Sequence, residues 1–131
     1  MNGAKVLVAG DASAEVLVLD APLSFWGGVD PSTGTIIAPG HPQYGENIAG
    51  RIVAMAQGIG SSSSSSILAE ALRQGNGPAG IILKRPDSIL VAGALAALEL
   101  YGVTCPIVVC DTVPPQGTIW SLKGDRLTQA D

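Results

Sequence analysis

The chain is poor in charged side chains, and the basic ones are the scarcer kind. Charged residues make up 14% of its 131 residues, with seven Lys and Arg against eleven Asp and Glu. No cluster of basic residues is present, which argues against nucleic acid and anionic membranes as partners. Hydrophobic residues make up 47% of the chain. A domain this apolar often covers part of its surface with another chain.

Metal-binding residue types are almost missing. The single histidine is His41, and the two cysteines, Cys105 and Cys110, stand in the segment C-P-I-V-V-C. In a strand, residues five positions apart point to opposite faces, which disfavours both a disulfide between the two cysteines and a metal ion shared by them. We expect two buried, reduced thiols and no metal site in this chain.

Long hydrophobic runs are also missing. The longest apolar stretch covers residues 89–98 and contains a glycine, whereas a membrane helix needs about 20 residues. The first ten residues lack the pattern of a signal peptide. These features predict a cytoplasmic protein, and the length predicts a single domain over residues 1–131.

Strand and helix patterns alternate through the second half of the chain. Strands are predicted at residues 51–55, 80–83 and 106–110, with helices at 63–74 and 88–101 between them, and this order implies parallel pairing. Before residue 51 the pattern is β-rich, with strands at 4–9, 15–19 and 35–38 and a turn at 10–13. A last strand is predicted at 118–122, followed by a polar tail. The prediction is an α/β fold in which a β-rich N-terminal half packs on a parallel β/α half.

The most informative segment is a run of six serines, residues 61–66, that follows the turn Gly58-Ile59-Gly60. A strand precedes the turn and a helical pattern follows it, so the serines occupy a helix N-terminus, where backbone N–H groups and the helix dipole favour anions. A polyserine run is also typical of a flexible linker. Its position between two apolar segments favours a structured turn.

A second group of candidate residues lies upstream. Residues 24–34 read S-F-W-G-G-V-D-P-S-T-G, in which Gly27 and Gly28 suggest a close approach of the backbone and Asp30 begins a turn. His41 begins the loop H-P-Q-Y-G-E. From the residues alone, a purely structural loop and a ligand-binding loop are equally good interpretations. Residues 75–80 match G-x-G-x-x-G, but they follow a helix and precede a strand, which excludes a dinucleotide-binding turn.

Three ordered motifs together carry a resemblance to a known family. They are residues 24–34, the pair H-P-Q-Y-G-E and I-A-G-R at 41–51, and G-I-G-S-S-S-S-S-S-I-L-A-E at 58–70. The chain resembles the small subunit, or swivelling domain, of the aconitase X family over about residues 10–109. The resemblance implies a swivelling β/β/α domain that closes over a large catalytic subunit. That subunit would carry an iron–sulfur cluster, with none bound by this chain.

The resemblance also implies an activity, that of a hydro-lyase. Bacterial and fungal members include cis-3-hydroxy-L-proline dehydratases, and archaeal members include mevalonate 5-phosphate dehydratases, whose small subunits usually read Gly-x-Gly-Ser-Thr-Val-Gly-Ser at the turn. The unbroken serines here resemble the bacterial and fungal branch. True aconitases carry an arginine after a serine pair, where this chain has Ser63, which argues against a tricarboxylate substrate.

The family places the proton acceptor on the first serine after Gly60, which is Ser61. Ser62 and Ser63 are then expected to donate hydrogen bonds to a substrate carboxylate or to Ser61, and iron in the partner to polarise the leaving hydroxyl. We further expect Gly60, Gly27, Gly28, Asp30 and His41 to contribute to substrate binding. A non-catalytic anion-binding module and a purely structural subunit remain alternatives of another class.

Overall fold

The computed structural model describes residues 4–129, which form an α/β domain with one large mixed sheet and two helices. Its elements in chain order are β1 (Lys5–Val8), β2 (Asp11–Val18), β3 (Val29–Asp30), β4 (Thr35–Ile36), β5 (Ile52–Met55), α1 (Ser63–Arg73), β6 (Gly80–Leu83), α2 (Ser88–Tyr101), β7 (Ile107–Val109), β8 (Ile119–Lys123) and β9 (Arg126–Gln129). The predicted α/β class is confirmed.

The strand order of the seven-stranded sheet is β1-β7-β6-β5-β2-β8-β9, and β3 and β4 form a separate hairpin. Strands β5, β6 and β7 pair in parallel, as the alternation of strands and helices predicted. The N-terminal strands join this parallel unit on both sides. β2 pairs in parallel with β5, whereas β1 pairs antiparallel with β7.

Two predictions for the outer strands were wrong. The expected turn at residues 10–13 ends earlier, because Asp11 already begins the eight-residue strand β2 and pairs with Lys123 of β8. The polar tail forms strand β9, which pairs antiparallel with β8. The start of β2 and the whole of β9 contain few residues that favour strands. Each adopts the strand conformation because it pairs with β8.

The sheet separates two apolar clusters. Successive residues of the central strands contribute to opposite clusters, with Val53 and Met55 in the cluster that contains the helices and Ile52 and Ala54 in the other. Strands buried on both faces read as continuous apolar runs. The parallel strands β5, β6 and β7 were therefore easy to predict from their apolar sequences.

The helices pack closely on one face of the sheet. A Cβ added at Gly93 of α2 would lie 2.7 Å from the backbone oxygen of Ser65 in α1, so glycine permits the close approach. α2 begins where the Asp87 carboxylate accepts hydrogen bonds from the amides of Ile89 and Leu90. It ends at Gly102 in the left-handed conformation that favours glycine.

Candidate active site at the carboxyl edge of the sheet

The sheet topology brings two distant segments to the same edge. β2 and β5 are parallel neighbours, with Val18 opposite Ala54, so the chain leaves both strands at their shared carboxyl edge. The segment after β2 contains residues 24–28, here called the Trp26 loop. The segment after β5 contains residues 58–63, here called the serine turn. Carboxyl edges of parallel strands are where ligands usually bind in α/β folds.

Gly60 allows the serine turn to adopt its shape. Its φ of +111° lies in a region that L side chains rarely adopt, and a Cβ there would lie 2.5 Å from Ser24 Oγ and 2.8 Å from Ser64 Oγ. The backbone at Gly60 therefore lies directly against the Trp26 loop and the first turn of α1. Any larger residue would push these two segments apart.

The three serines predicted to act on the substrate are exposed. Ser61, Ser62 and Ser63 all face solvent, and α1 begins at Ser63 with Ser62 as its N-cap. The Ser62 side chain makes no capping hydrogen bond. The Ser63 amide instead donates to Ser61 Oγ at 3.3 Å. A hydrogen bond donated to this oxygen, close to the positive end of α1, favours negative charge on the Ser61 hydroxyl.

Ser64 is a site residue that was not predicted from the sequence. Its side chain is 1% exposed, its hydroxyl oxygen lies 3.3 Å from Ser24 Oγ, and it accepts a hydrogen bond from the Trp26 amide at 3.2 Å. The serine run by itself does not distinguish its members, because all six residues are identical. The spacing from Ser64 to Leu68 and Leu72, which are buried on the same face of α1, could have identified it.

A cleft of about 320 Å³ lies between the Trp26 loop, the His41 loop and Ile59 of the serine turn. We call it the Trp26 cleft. Gly27, Gly28 and His41 line it, together with Trp26, and no lining residue is Asp, Glu, Lys or Arg. A Cβ at Gly28 would lie 2.0 Å from the Ser24 carbonyl oxygen, so only glycine fits the turn that forms this wall.

His41 is held within its own loop. Its Nδ1 accepts a hydrogen bond from the Gln43 amide at 3.0 Å, which leaves the proton on Nε2, and Nε2 donates to the Ala21 carbonyl at 3.1 Å. With both ring nitrogens engaged, His41 has no free proton acceptor to offer a ligand in the cleft.

The structure does not bring Asp30 to the cleft. Its carboxylate accepts hydrogen bonds from the Ser32 hydroxyl at 2.6 Å and the Ser32 amide at 2.9 Å. These bonds hold the pKa of Asp30 below its ordinary value. The next residue, Pro31, accepts a hydrogen bond from Asn76 beyond the far end of α1. Asp30 is not among the residues that line the Trp26 cleft, although it follows Gly28 by two positions.

The cysteines of the described residues do not fit an iron–sulfur cluster. Burial raises the pKa of the Cys105 thiol to about 12, which disfavours the thiolate that a metal requires. Cys110 is half-buried, and both cysteines are free. Within residues 4–129, no group of three or more His, Cys, Asp or Glu side chains could hold a metal ion.

Neither helix in this part of the chain is long and apolar enough to cross a bilayer.

Comparison with known proteins identifies the family. The sequence model of the aconitase X swivel domain matches residues 2–125. The chain therefore belongs to the aconitase X swivel-domain family, which confirms the resemblance inferred from the three motifs. A crystal structure of Thermococcus kodakaraensis aconitase X in its holo-form has a TM-score of 0.88 at 26% identity. That alignment covers 99% of this chain and 98% of that chain.

Two kinds of enzyme are found among the relatives. The cis-3-hydroxy-L-proline dehydratase of Pseudomonas aeruginosa is 47% identical over 79% of this chain, which spans only 18% of that protein. The phosphomevalonate dehydratase small subunit of Pyrococcus furiosus is 41% identical over 70% of this chain and 68% of that protein. The chain thus spans less than a fifth of the first relative and about two thirds of the second.

Proposed function

We propose that this chain is the swivelling small subunit of an aconitase X-type hydro-lyase, with Ser61 as the proton acceptor. The observation that carries the proposal is the meeting of the serine turn and the Trp26 loop at one edge of the sheet. The family membership supports a dehydratase, and the P. furiosus relative is itself named a small subunit. The partner is then a large catalytic chain that carries the iron–sulfur cluster.

The arrangement supports a proton transfer that is completed only in a complex. A serine hydroxyl is a very weak base and needs an environment that favours negative charge on its oxygen. The Ser63 amide and the N-terminus of α1 provide part of that environment. Ser61 is exposed, so a second chain must cover the turn to exclude water. In this proposal Ser62 and Ser63, which are exposed beside Ser61 at the start of α1, donate hydrogen bonds to the carboxylate of the substrate.

The choice of cis-3-hydroxy-L-proline as the substrate is supported by the P. aeruginosa dehydratase named for it, which is 47% identical to this chain over the aligned residues. A phosphate ester would be expected to meet a cationic side chain, and the cleft has none among its lining residues. Two of the chain's arginines are paired elsewhere. Arg51 lies 3.3 Å from Glu15 and 3.2 Å from Glu46, and Arg73 donates to Glu70 at 2.8 Å. The Trp26 cleft thus offers a phosphate group no cationic side chain of this chain, whereas the carboxylate that both candidate substrates carry can bind at the N-terminus of α1.

The test is Ser61→Ala in the complex of this chain with its large subunit, assayed on cis-3-hydroxy-L-proline and on mevalonate 5-phosphate. Loss of the proton acceptor is expected to lower kcat by about 10²–10⁴-fold without preventing assembly. Ser66→Ala is the matched control, because Ser66 is exposed and has no side-chain hydrogen bond in the described structure.

Each competing interpretation gives a different result. Turnover by Ser61→Ala within a few-fold of wild type contradicts the catalytic role. A purely structural subunit predicts a defect in complex formation alone, measured by size-exclusion chromatography. An anion-binding module predicts that the isolated chain binds the carboxylate without the large subunit. Activity confined to mevalonate 5-phosphate would contradict the substrate assignment while leaving the reaction class intact.

A further inference from the structure

Ser64 is the one buried polar side chain among the described residues. Its hydroxyl has two neighbours from the Trp26 loop, the Ser24 hydroxyl at 3.3 Å and the Trp26 amide at 3.2 Å. The Ser24 hydroxyl in turn donates to the Trp26 carbonyl at 3.1 Å. Both backbone groups of Trp26 are therefore satisfied by serine side chains, one of which belongs to the helix.

The direction of these hydrogen bonds follows from proton counting. A serine hydroxyl has one proton to donate. Ser24 uses its proton on the Trp26 carbonyl, so the Ser64 hydroxyl donates to Ser24 and accepts from the Trp26 amide. The result is a closed ring of three hydrogen bonds, here called the hydroxyl ring.

Ser64 also contacts the proposed proton acceptor through its backbone. Its amide donates to the Ser61 carbonyl at 2.9 Å, within the first turn of α1. One residue thus holds Ser61 with its main chain and the Trp26 loop with its side chain. Gly60 lies against both hydroxyls of the ring, so the cleft wall and the serine turn form one packed unit.

We propose that Ser64 is a positioning residue that fixes the Trp26 wall of the cleft relative to Ser61. This inference rests on the proposed function for its catalytic consequence, but the hydroxyl ring can be tested without it. Without the Ser64 hydroxyl, the Trp26 amide has no acceptor and the loop is free to move away from the helix. A shift of about 1 Å in such a wall is enough to lower turnover by about 100-fold.

The direct test measures amide hydrogen exchange of Trp26 by NMR in the full chain, comparing Ser64→Ala, Ser24→Ala and Ser66→Ala with wild type. Ser64→Ala removes the acceptor and is expected to lower the protection of the Trp26 amide by about tenfold. Ser24→Ala leaves the Ser64 oxygen in place, so the Trp26 amide is expected to keep most of its protection. Ser66→Ala is expected to match wild type.

Amides in β5, which lies in the centre of the sheet, separate a local effect from a global one. Equal loss of protection at Trp26 and in β5 of Ser64→Ala would mean general destabilisation and would overturn the positioning role. Unchanged protection of the Trp26 amide in Ser64→Ala would overturn the hydroxyl ring itself.

The catalytic consequence is measured in the two-chain complex. Ser64→Ala is expected to lower kcat/KM by about 10–100-fold, while Ser66→Ala retains wild-type turnover. A wild-type complex that is inactive on both substrates would refute the proposed function, while the exchange experiment would still decide the ring. An active wild-type complex with an equally active Ser64→Ala variant would refute the positioning role alone.

Discussion

Gly60→Ala tests the close contact between the serine turn and the Trp26 loop. The substitution adds one methyl group at the point where the two segments meet. That methyl carbon would lie 2.5 Å from Ser24 Oγ and 2.8 Å from Ser64 Oγ, and the backbone would have to keep a φ of +111°. Both effects act on the folded state, so the free energy of unfolding should fall.

Two terms contribute to the expected loss of stability in Gly60→Ala. An L side chain in a positive-φ conformation costs about 1–2 kcal/mol. Overpacking against the two serines costs about 1–3 kcal/mol more, because the hydroxyl ring must open to admit the methyl group. Gly60→Ala should therefore lower the free energy of unfolding by about 2–5 kcal/mol. With a urea slope of about 2 kcal/mol/M, this loss corresponds to a fall in the unfolding midpoint of roughly 1–2.5 M.

Gly117→Ala is the matched control in urea unfolding. Gly117 has a φ of +79°, and a Cβ there would meet nothing within 4 Å. This variant measures the conformational cost alone, expected at about 1–2 kcal/mol. The difference between the two variants then measures the steric part at the serine turn.

A double-mutant cycle with Ser24→Ala completes the test. Removing the nearest hydroxyl should relieve part of the clash, so the double variant should lose less stability than the sum of the two single variants. Equal losses for Gly60→Ala and Gly117→Ala, or strict additivity with Ser24→Ala, would show that the two segments are not packed as described.

Two further predictions concern stability away from the site. Asp87→Ala removes the acceptor for two amides at the start of α2 and should lower the free energy of unfolding by about 1 kcal/mol in urea titration, whereas Ser88→Ala, which removes an exposed hydroxyl, should not. Equal losses of stability in Asp87→Ala and Ser88→Ala would show that Asp87 does not stabilise the start of α2. Burial raises the pKa of Cys105 from 9.0 to about 12, so the unfolded chain loses this proton first and stability should fall as pH rises through that interval. The slope should reach about 1.4 kcal/mol per pH unit. In Cys105→Ala, the decrease of stability with pH that is due to this thiol should disappear. If wild type and Cys105→Ala show the same pH dependence between pH 9.0 and about 12, burial does not raise the pKa of Cys105.

The parts of the fold that were predictable are those whose signal is local. The helix over residues 88–101 and the strand over 80–83 have the predicted bounds, because apolar runs and a terminal glycine mark their ends. β9 was missed because Leu127 is its only apolar residue. The sequence likewise showed that Asp30 lies in a turn, but it did not show that this residue is absent from the lining of the Trp26 cleft.

The sequence by itself determined the family, the order of the central elements and the position of the serine turn at the start of a helix. These depend on residues close together in the chain, where spacing sets the backbone conformation. Only the tertiary structure decided that Ser64 is buried against Ser24 and that the Trp26 loop shares an edge with the serine turn. Both follow from the parallel pairing of β2 with β5, two strands separated by more than thirty residues. No local pattern encodes that pairing, because it arises from burying both faces of a strand at once.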